Sequence, residues 1–405
     1  MTPRDDLYLD AGQACDMLGI NVATLYAYVS RKRVRSEPVE GSRSRRYWKA
    51  DIERLAGKTP QAPAARPQTP LVSVSRITLM TDAGLYFRGR DAIEMSRTST
   101  LESMAAFLWQ ADEKQAFGAA PVGASKLWQQ LRPSLRDLSV QERAIAMFPM
   151  IERADARAYD LSPAGFARTG ADVLRWYATL LVQAPRPTAQ PLHQFVARAL
   201  KAPEALDEVI RQLLVLAADH EFDPITYAVR AVANVGVTPY QAVAAGLIAS
   251  QGQRFQAERY GATMRFLDEI LDASDGHAAV VKRLRNGEAI PGFGDSSRGS
   301  VPDPRATAIM QTLDRTLRGD PELRRLHEAD RAAHDATGSH MNFIVPALFI
   351  GRRVGLRGSE LALSGLGRLT GWIAHAMEQF HDNPLIRPRA RYEGQLPQGS
   401  RVGDD

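Results

Sequence analysis

The 405-residue chain has one cysteine, Cys15, which rules out an intramolecular disulfide and any cysteine-rich metal centre. Cys15 stands between Ala14 and Asp16 in a helical pattern and reads as a structural residue. No apolar run approaches the roughly 20 residues needed to span a bilayer. The opening, MTPRDDLYLDAG, puts Asp5 and Asp6 where a secretory signal needs a basic and then an apolar stretch. No internal repeat with a period of roughly 20–50 residues is present, which argues against a solenoid. Together these absences predict a soluble, cytoplasmic protein with no membrane segment and no metal. The chain is otherwise ordinary, with 44% apolar and 24% charged residues, and its length suits two or three domains.

The net charge of +5 is small but unevenly placed. Arg31, Lys32, Arg33, Arg35, Arg43, Arg45, Arg46 and Lys49 face only Glu37 and Glu40 in the stretch 31–49, so the rest of the chain is close to neutral. Such a cluster in a compact unit is the footprint of phosphate contacts. Around it, AGQACDMLGI carries apolar residues at helical spacing and ends at Gly19; after a short turn, ATLYAYVSRKR repeats the pattern. VRSEPVEGSRSRRYW then reads as a two-stranded wing with Gly41 and Ser42 at its tip, and KADIERLAG as a closing helix. This order resembles the winged helix-turn-helix modules of MerR and excisionase-like proteins. The resemblance makes Thr24–Lys32 the reading helix and Thr24, Tyr26, Arg31, Lys32, Arg33, Arg43, Arg45 and Arg46 the candidate DNA-binding residues. A solvated basic surface on a small interaction module is the alternative. Residues 1–56 form this domain, and 57–73, rich in Pro and Ala, form an extended linker.

Residues 74–405 are dominated by helical periodicity, as in LESMAAFLWQ, FARTGADVLRWYATLLV and ALDEVIRQLLVLAADHE. Five segments in order then carry a specific resemblance: GLYFRGRDAIE (84–94), Asp219-His220-Glu221, IPGFG (290–294) with Asp303-Pro304-Arg305, GRLTGWIAHAMEQ (367–379) and LIRPRARYEG (385–394). They resemble the bacterial citrate and methylcitrate synthases. The resemblance implies an all-α citrate synthase fold of large and small helical domains, the small one at roughly 256–350, preceded here by the winged module. It also implies a homodimer with interleaved C-termini, a ligand cleft between the domains, and oxaloacetate or citrate as ligand. Acetyl-CoA or propionyl-CoA would be the co-substrate, with no resident cofactor. Arg298 and the run Lys282, Arg283, Arg285 are weaker candidates for coenzyme A phosphates, since such a run more often lines a solvated helix face.

In that family a carboxylate removes the acyl methyl proton, one histidine stabilises the enol and a second supports the oxaloacetate carbonyl. Contacts of this kind are each worth about 10²- to 10⁴-fold in rate. Here the matching positions hold Asn342, Phe255 and Asp295. Asparagine accepts no proton, phenylalanine offers no hydrogen bond, and an ionised Asp295 would oppose the charge that develops. His340, two residues before Asn342 and on the same face of an extended strand, is a candidate substitute base. The four carboxylate-binding positions are kept as His220, Arg305, Arg368 and Arg387, the last reaching across the dimer in the family. Each could instead serve the fold, as a helix-end hydrogen bonder, a buried ion pair or a surface charge. A carboxylate pocket without its chemistry, joined to a basic module, predicts a metabolite-responsive DNA-binding regulator or pseudoenzyme. The alternatives are an active synthase with a rearranged site and a silent subunit that forms a heterodimer with an active citrate synthase.

Overall fold

Short polar side chains set the boundaries of the first elements. β1 (Tyr8–Leu9) leads to Asp10, which accepts from the Gln13 amide at 2.8 Å while the Gln13 side chain accepts from the Asp10 amide; this reciprocal box opens α1 (Ala11–Leu18). Gly19, at φ +63°, closes the helix with a left-handed residue. Asn21 Oδ1 accepts from Thr24 N at 2.9 Å and opens α2 (Val22–Ser30). β2 (Ser36–Pro38) and β3 (Arg45–Trp48) follow, then α3 (Lys49–Ala56). β3 lies between β1 and β2, antiparallel to both, so the pair read as a wing belongs to a three-stranded sheet. Ala14, Cys15, Leu18, Leu25, Val34, Tyr47 and Ile52 form the core beneath it.

The computed structural model describes residues 8–30, 34–39, 42, 44–56, 74–81, 84–121, 126–220, 222–253, 260–294, 301–382 and 385–386. The chain divides into two compact units, Met1–Ser73 and Val74–Asp405. The second opens on a small sheet, β4 (Thr78–Thr81), β5 (Gly84–Phe87) and β6 (Arg90–Asp91), paired antiparallel in that order. Arg88 and Gly89, both at positive φ, make the tight β5–β6 turn. Thus GLYFRGRDAIE, met in a chain of helical periodicity, is a hairpin running into a capped helix.

The helices that follow are α4 (Ala92–Ser96), α5 (Leu101–Trp109), α6 (Glu113–Phe117), α7 (Lys126–Leu131), α8 (Val140–Ala154) and α9 (Pro163–Leu181). Next come α10 (Leu192–Ala199), α11 (Asp207–Leu216), α12 (Pro224–Ala233) and α13 (Pro239–Ser250). The remainder are α14 (Ala262–Asp272), α15 (Gly276–Arg285), α16 (Pro304–Thr316), α17 (Pro321–Thr337), α18 (Ile344–Arg353) and α19 (Ala362–His381). α9 and α19 are buried on almost every side, charged residues such as Asp172, Arg175, Arg368 and Glu378 included, and form the centre of the unit. Trp109 of α5 ties into that centre by donating Nε1–H to the Thr370 carbonyl at 3.0 Å. No helix among the described residues is long and apolar enough to cross a membrane.

Candidate functional site

Two glycines bring α19 against the turn that follows α11. A Cβ at Gly367 would lie 2.3 Å from the Leu214 carbonyl oxygen, and one at Gly371 2.2 Å from that of Ala218. Only glycine permits this approach, and it sets Arg368 beside Asp219. Arg368 Nη1 pairs with Asp219 Oδ1, and its Nη2 donates to Thr226 Oγ1 at 2.6 Å and stands 3.6 Å from Asp223. Asp219 is fully buried and also accepts from Thr78 Oγ1 at 2.5 Å and from His375 Nε2 at 3.1 Å. Burial alone would raise its pKa, but Arg368, His375 and Thr78 hold it far below the usual carboxylate range. Behind it Arg230 joins Glu378 at 2.7 Å and Gln379 at 3.1 Å, and its Nη1 reaches His375 Nδ1 at 3.3 Å. An arginine can only donate, so Nδ1 of His375 accepts and its ring proton on Nε2 goes to Asp219.

His220 lies next to Asp219 and reaches Asp223 Oδ2 from Nε2 at 3.2 Å. Asp223 also caps α12, accepting from Thr226 N at 2.5 Å. The His220 side chain keeps 38% exposure, yet burial lowers its pKa. Arg368 and Arg305 lower it further, and the Asp223 contact works against them. A neutral ring donating from Nε2 presents Nδ1 as an acceptor.

These directions fix a pH dependence. His220 and the buried His193, whose pKa is also lowered by burial and then by Arg211, bind a proton more readily in the unfolded chain. Their contribution to stability is therefore whole above the ordinary histidine value of 6.5 and is lost as pH falls below it. Asp219 and Asp223 are depressed, so their contribution holds through this window and fails only in stronger acid. The urea midpoint is expected to drop between pH 7.5 and 5.5, and His193→Asn to flatten that slope. A midpoint independent of pH over this range would contradict the assignment.

Arg305 begins α16. Asp303 caps the helix, accepting from Arg305 N at 3.0 Å, and grips the guanidinium at 3.1 Å (Nε) and 2.8 Å (Nη2). The guanidinium lies 4.7 Å over the Phe343 ring, and Phe343 N donates to Asp303 at 3.3 Å. The segment 340–342 pairs with the turn at 292–294 through Asn342 N to Gly292 O and Gly294 N to His340 O, both 2.8 Å. Gly292 has φ +86°, and a Cβ there would meet Thr263 and Val345 at 2.5 and 2.6 Å, so IPGFG is built for this close crossing. Asn342 Oδ1 accepts from Ile344 N at 3.0 Å at the start of α18, and Nδ2 lies 3.4 Å from Gly294 O. His340 goes elsewhere: Nδ1 meets Asp330 Oδ2 at 3.0 Å, and the ring stacks on His334 at 4.3 Å between centroids. The extended-strand reading put the two side chains on one face, whereas here they serve different neighbours, since only a single bridge residue, Met341, is paired.

Phe255, Asp295, Arg298 and Arg387 lie outside the described residues. Arg283 is held by Glu269 and Glu288 and packs over Phe266 at 4.8 Å, so its charge is already answered. In the N-terminal unit Thr24 is tied to Asn21, and Tyr26 is exposed. Arg45 bonds to Ser36, and Arg46 pairs with Glu37 and covers the Tyr8 ring at 4.7 Å. Arg35 is gripped by the buried Asp51 at 2.8 and 3.0 Å. Arg31, Lys32, Arg33 and Arg43 lie outside the described residues.

The residues that sequence reading missed are Thr78, Arg230, His375 and Glu378. A signal existed in GRLTGWIAHAMEQ, where His375 and Glu378 follow Arg368 by seven and ten residues and so share its face of an otherwise apolar helix.

Comparison with known proteins gives the family and the fold. The family model described as "Citrate synthase, C-terminal domain" matches residues 68–389. A 2-methylcitrate synthase of Shewanella oneidensis is 28% identical over 209 residues, covering 49% of this chain and 53% of its own. A citrate synthase of Haloferax volcanii is 30% identical over 201 residues, covering 47% and 52%. The chain thus spans about half the length of the curated relatives it matches. Among solved structures, citrate synthase from Thermoplasma acidophilum, in ternary complex with carboxymethyl coenzyme A and oxaloacetate, superposes with TM-score 0.66 at 18% identity, over 82% of this chain and 97% of that one. The Thermotoga maritima citrate synthase gives 0.64 at 19%, over 81% and 95%. With most of its length matched by that model, the chain belongs to the citrate synthase family.

Proposed function

We propose that the large unit binds a small di- or tricarboxylate, oxaloacetate or citrate, without efficient condensation, and that a homodimer carries this pocket together with DNA-binding N-terminal modules. One contrast carries the reading. His220, Arg305 and Arg368, at the positions that resemble the family's carboxylate-binding set, are each held by a carboxylate of the chain, while the Asn342 side chain bonds the Ile344 amide and an amide accepts no proton. Guanidinium groups so fixed suit planar carboxylates. For the module, a capped helix pair beside a three-stranded sheet with exposed Arg45 at the start of its central strand favours a winged helix-turn-helix.

The test is calorimetric titration of the full chain with oxaloacetate and citrate, followed by footprinting of its own upstream DNA with and without the ligand that binds. Binding is expected to weaken about 100-fold in Arg305→Met, the scale of losing a charge-assisted contact in a buried site. Its stability cost is smaller than that of Arg368→Met, because Asp303 keeps two backbone donors. Absence of heat with either acid would overturn the pocket, and absence of any footprint would overturn the DNA reading.

A second reading, an active citrate or methylcitrate synthase, draws on the His340–Asp330 contact. A carboxylate fixing one ring nitrogen leaves the other as a base, the arrangement general acid–base chemistry uses. The names of the curated relatives favour it too.

A further inference from the structure

The first residues of the large unit are tied to the charge network behind Arg368. The Val74 carbonyl accepts from Arg230 Nη2 at 3.2 Å, the Arg76 amide donates to Glu378 Oε1 at 2.7 Å, and Thr78 Oγ1 donates to Asp219 at 2.5 Å. Arg230, Glu378, His375 and Asp219 are all nearly or fully buried, so water does not substitute for these bonds. Two routes therefore run from the pocket arginine to residues 74–78. One is Arg368–Asp219–Thr78; the other passes from Asp219 through His375, Arg230 and Glu378 to the Arg76 amide. Val74 directly follows residues 57–73, the tether to the basic module.

We propose that Thr78 and His375 are positioning residues: they set Arg368 through Asp219 and make the order of residues 74–78 respond to the state of the pocket arginine. A ligand carboxylate drawing Arg368 toward itself changes what Asp219 offers Thr78 and His375, and the change arrives where the chain leaves for the N-terminal module. This gives the segment that follows residue 73 a defined anchor at Val74, Arg76 and Thr78. It rests on the carboxylate-pocket reading for its ligand, but not for the coupling itself.

The test is amide exchange on the full chain, read on peptides covering 74–81, with 321–337 as a control for global opening. Arg368→Gln is expected to speed exchange at 74–81 about tenfold, the coupling usual within one hydrogen-bonded network. In a Thr78→Val/His375→Asn background the same change is expected to add nothing, since Asn reaches only the Arg230 side of the ring. Thr78→Ser/His375→Gln keeps both donors to Asp219 and is expected to restore the response. If the first background loses protection at 321–337 as well, Thr78→Val/His375→Gln against Thr78→Ser/His375→Gln supplies the comparison. Equal, additive acceleration in every background would overturn the relay. Oxaloacetate titration of the wild-type chain is separate: no binding sinks the pocket, while the exchange comparison still decides the coupling.

Discussion

Replacing Arg368 by methionine is expected to cost about 3–5 kcal/mol of stability, the usual loss when one partner of a buried ion pair is removed. The cause is what stays behind. Asp219 has no exposure, and without Arg368 it keeps only Thr78 and His375 as side-chain donors among the contacts described above. Its pKa, now far below the usual range, would rise toward the value burial alone dictates. Asp219→Asn/Arg368→Met is expected to recover most of the loss, because an amide still accepts from Thr78 and His375 and no charge is stranded. Urea unfolding followed by tryptophan fluorescence reads the result, since four of the five tryptophans belong to the large unit. A loss below about 1 kcal/mol, the level of an exposed pair, would mean that water or another cation already answers Asp219.

The family and its helical architecture were legible because they rest on local signals. Glycines at 292, 367 and 371 mark close approaches, and acids at 91, 223 and 303 mark helix starts; both are readable one residue at a time. The hairpin at 78–91 was less visible, since its strands are short and its turn puts Arg88, a non-glycine residue, at positive φ. The relay behind Arg368 was hidden for a different reason. Thr78, Asp219, Arg230 and His375 are scattered from position 78 to position 375, and no spacing rule brings them together before the fold does. Asn342 shows the same limit. The sequence reading set Asn342 at the position of the family's carboxylate, and only the structure shows its amide turned to Ile344 and Gly294. For Arg368 the structure shows the buried ion pair with Asp219 that the sequence reading held as its structural alternative.

Thiol release from acetyl-CoA or propionyl-CoA with oxaloacetate is expected at least about 10³-fold below the 1–10³ s⁻¹ of ordinary enzymes. Restoring one carboxylate should not rescue it. Asn342→Asp keeps the bond from Ile344 N but sets an oxygen where Nδ2 now stands 3.4 Å from the Gly294 carbonyl, and that repulsion turns the carboxylate away from the carbonyl. On the proposed reading a base would then be present without the enol-stabilising histidine, since phenylalanine, at position 255, offers no hydrogen bond. Residues that act as a unit do not contribute one at a time. Rates of Asn342→Asp within about threefold of the wild-type chain are therefore expected, with oxaloacetate affinity kept because His220, Arg305 and Arg368 are untouched. Turnover by the wild-type chain at ordinary rates would overturn this. His340→Gln would then be decisive, since it removes an imidazole two residues from Asn342 that a carboxylate, Asp330, holds in place. If that change abolished turnover while oxaloacetate still bound, the family's proton transfer would have moved two residues along the chain rather than been lost.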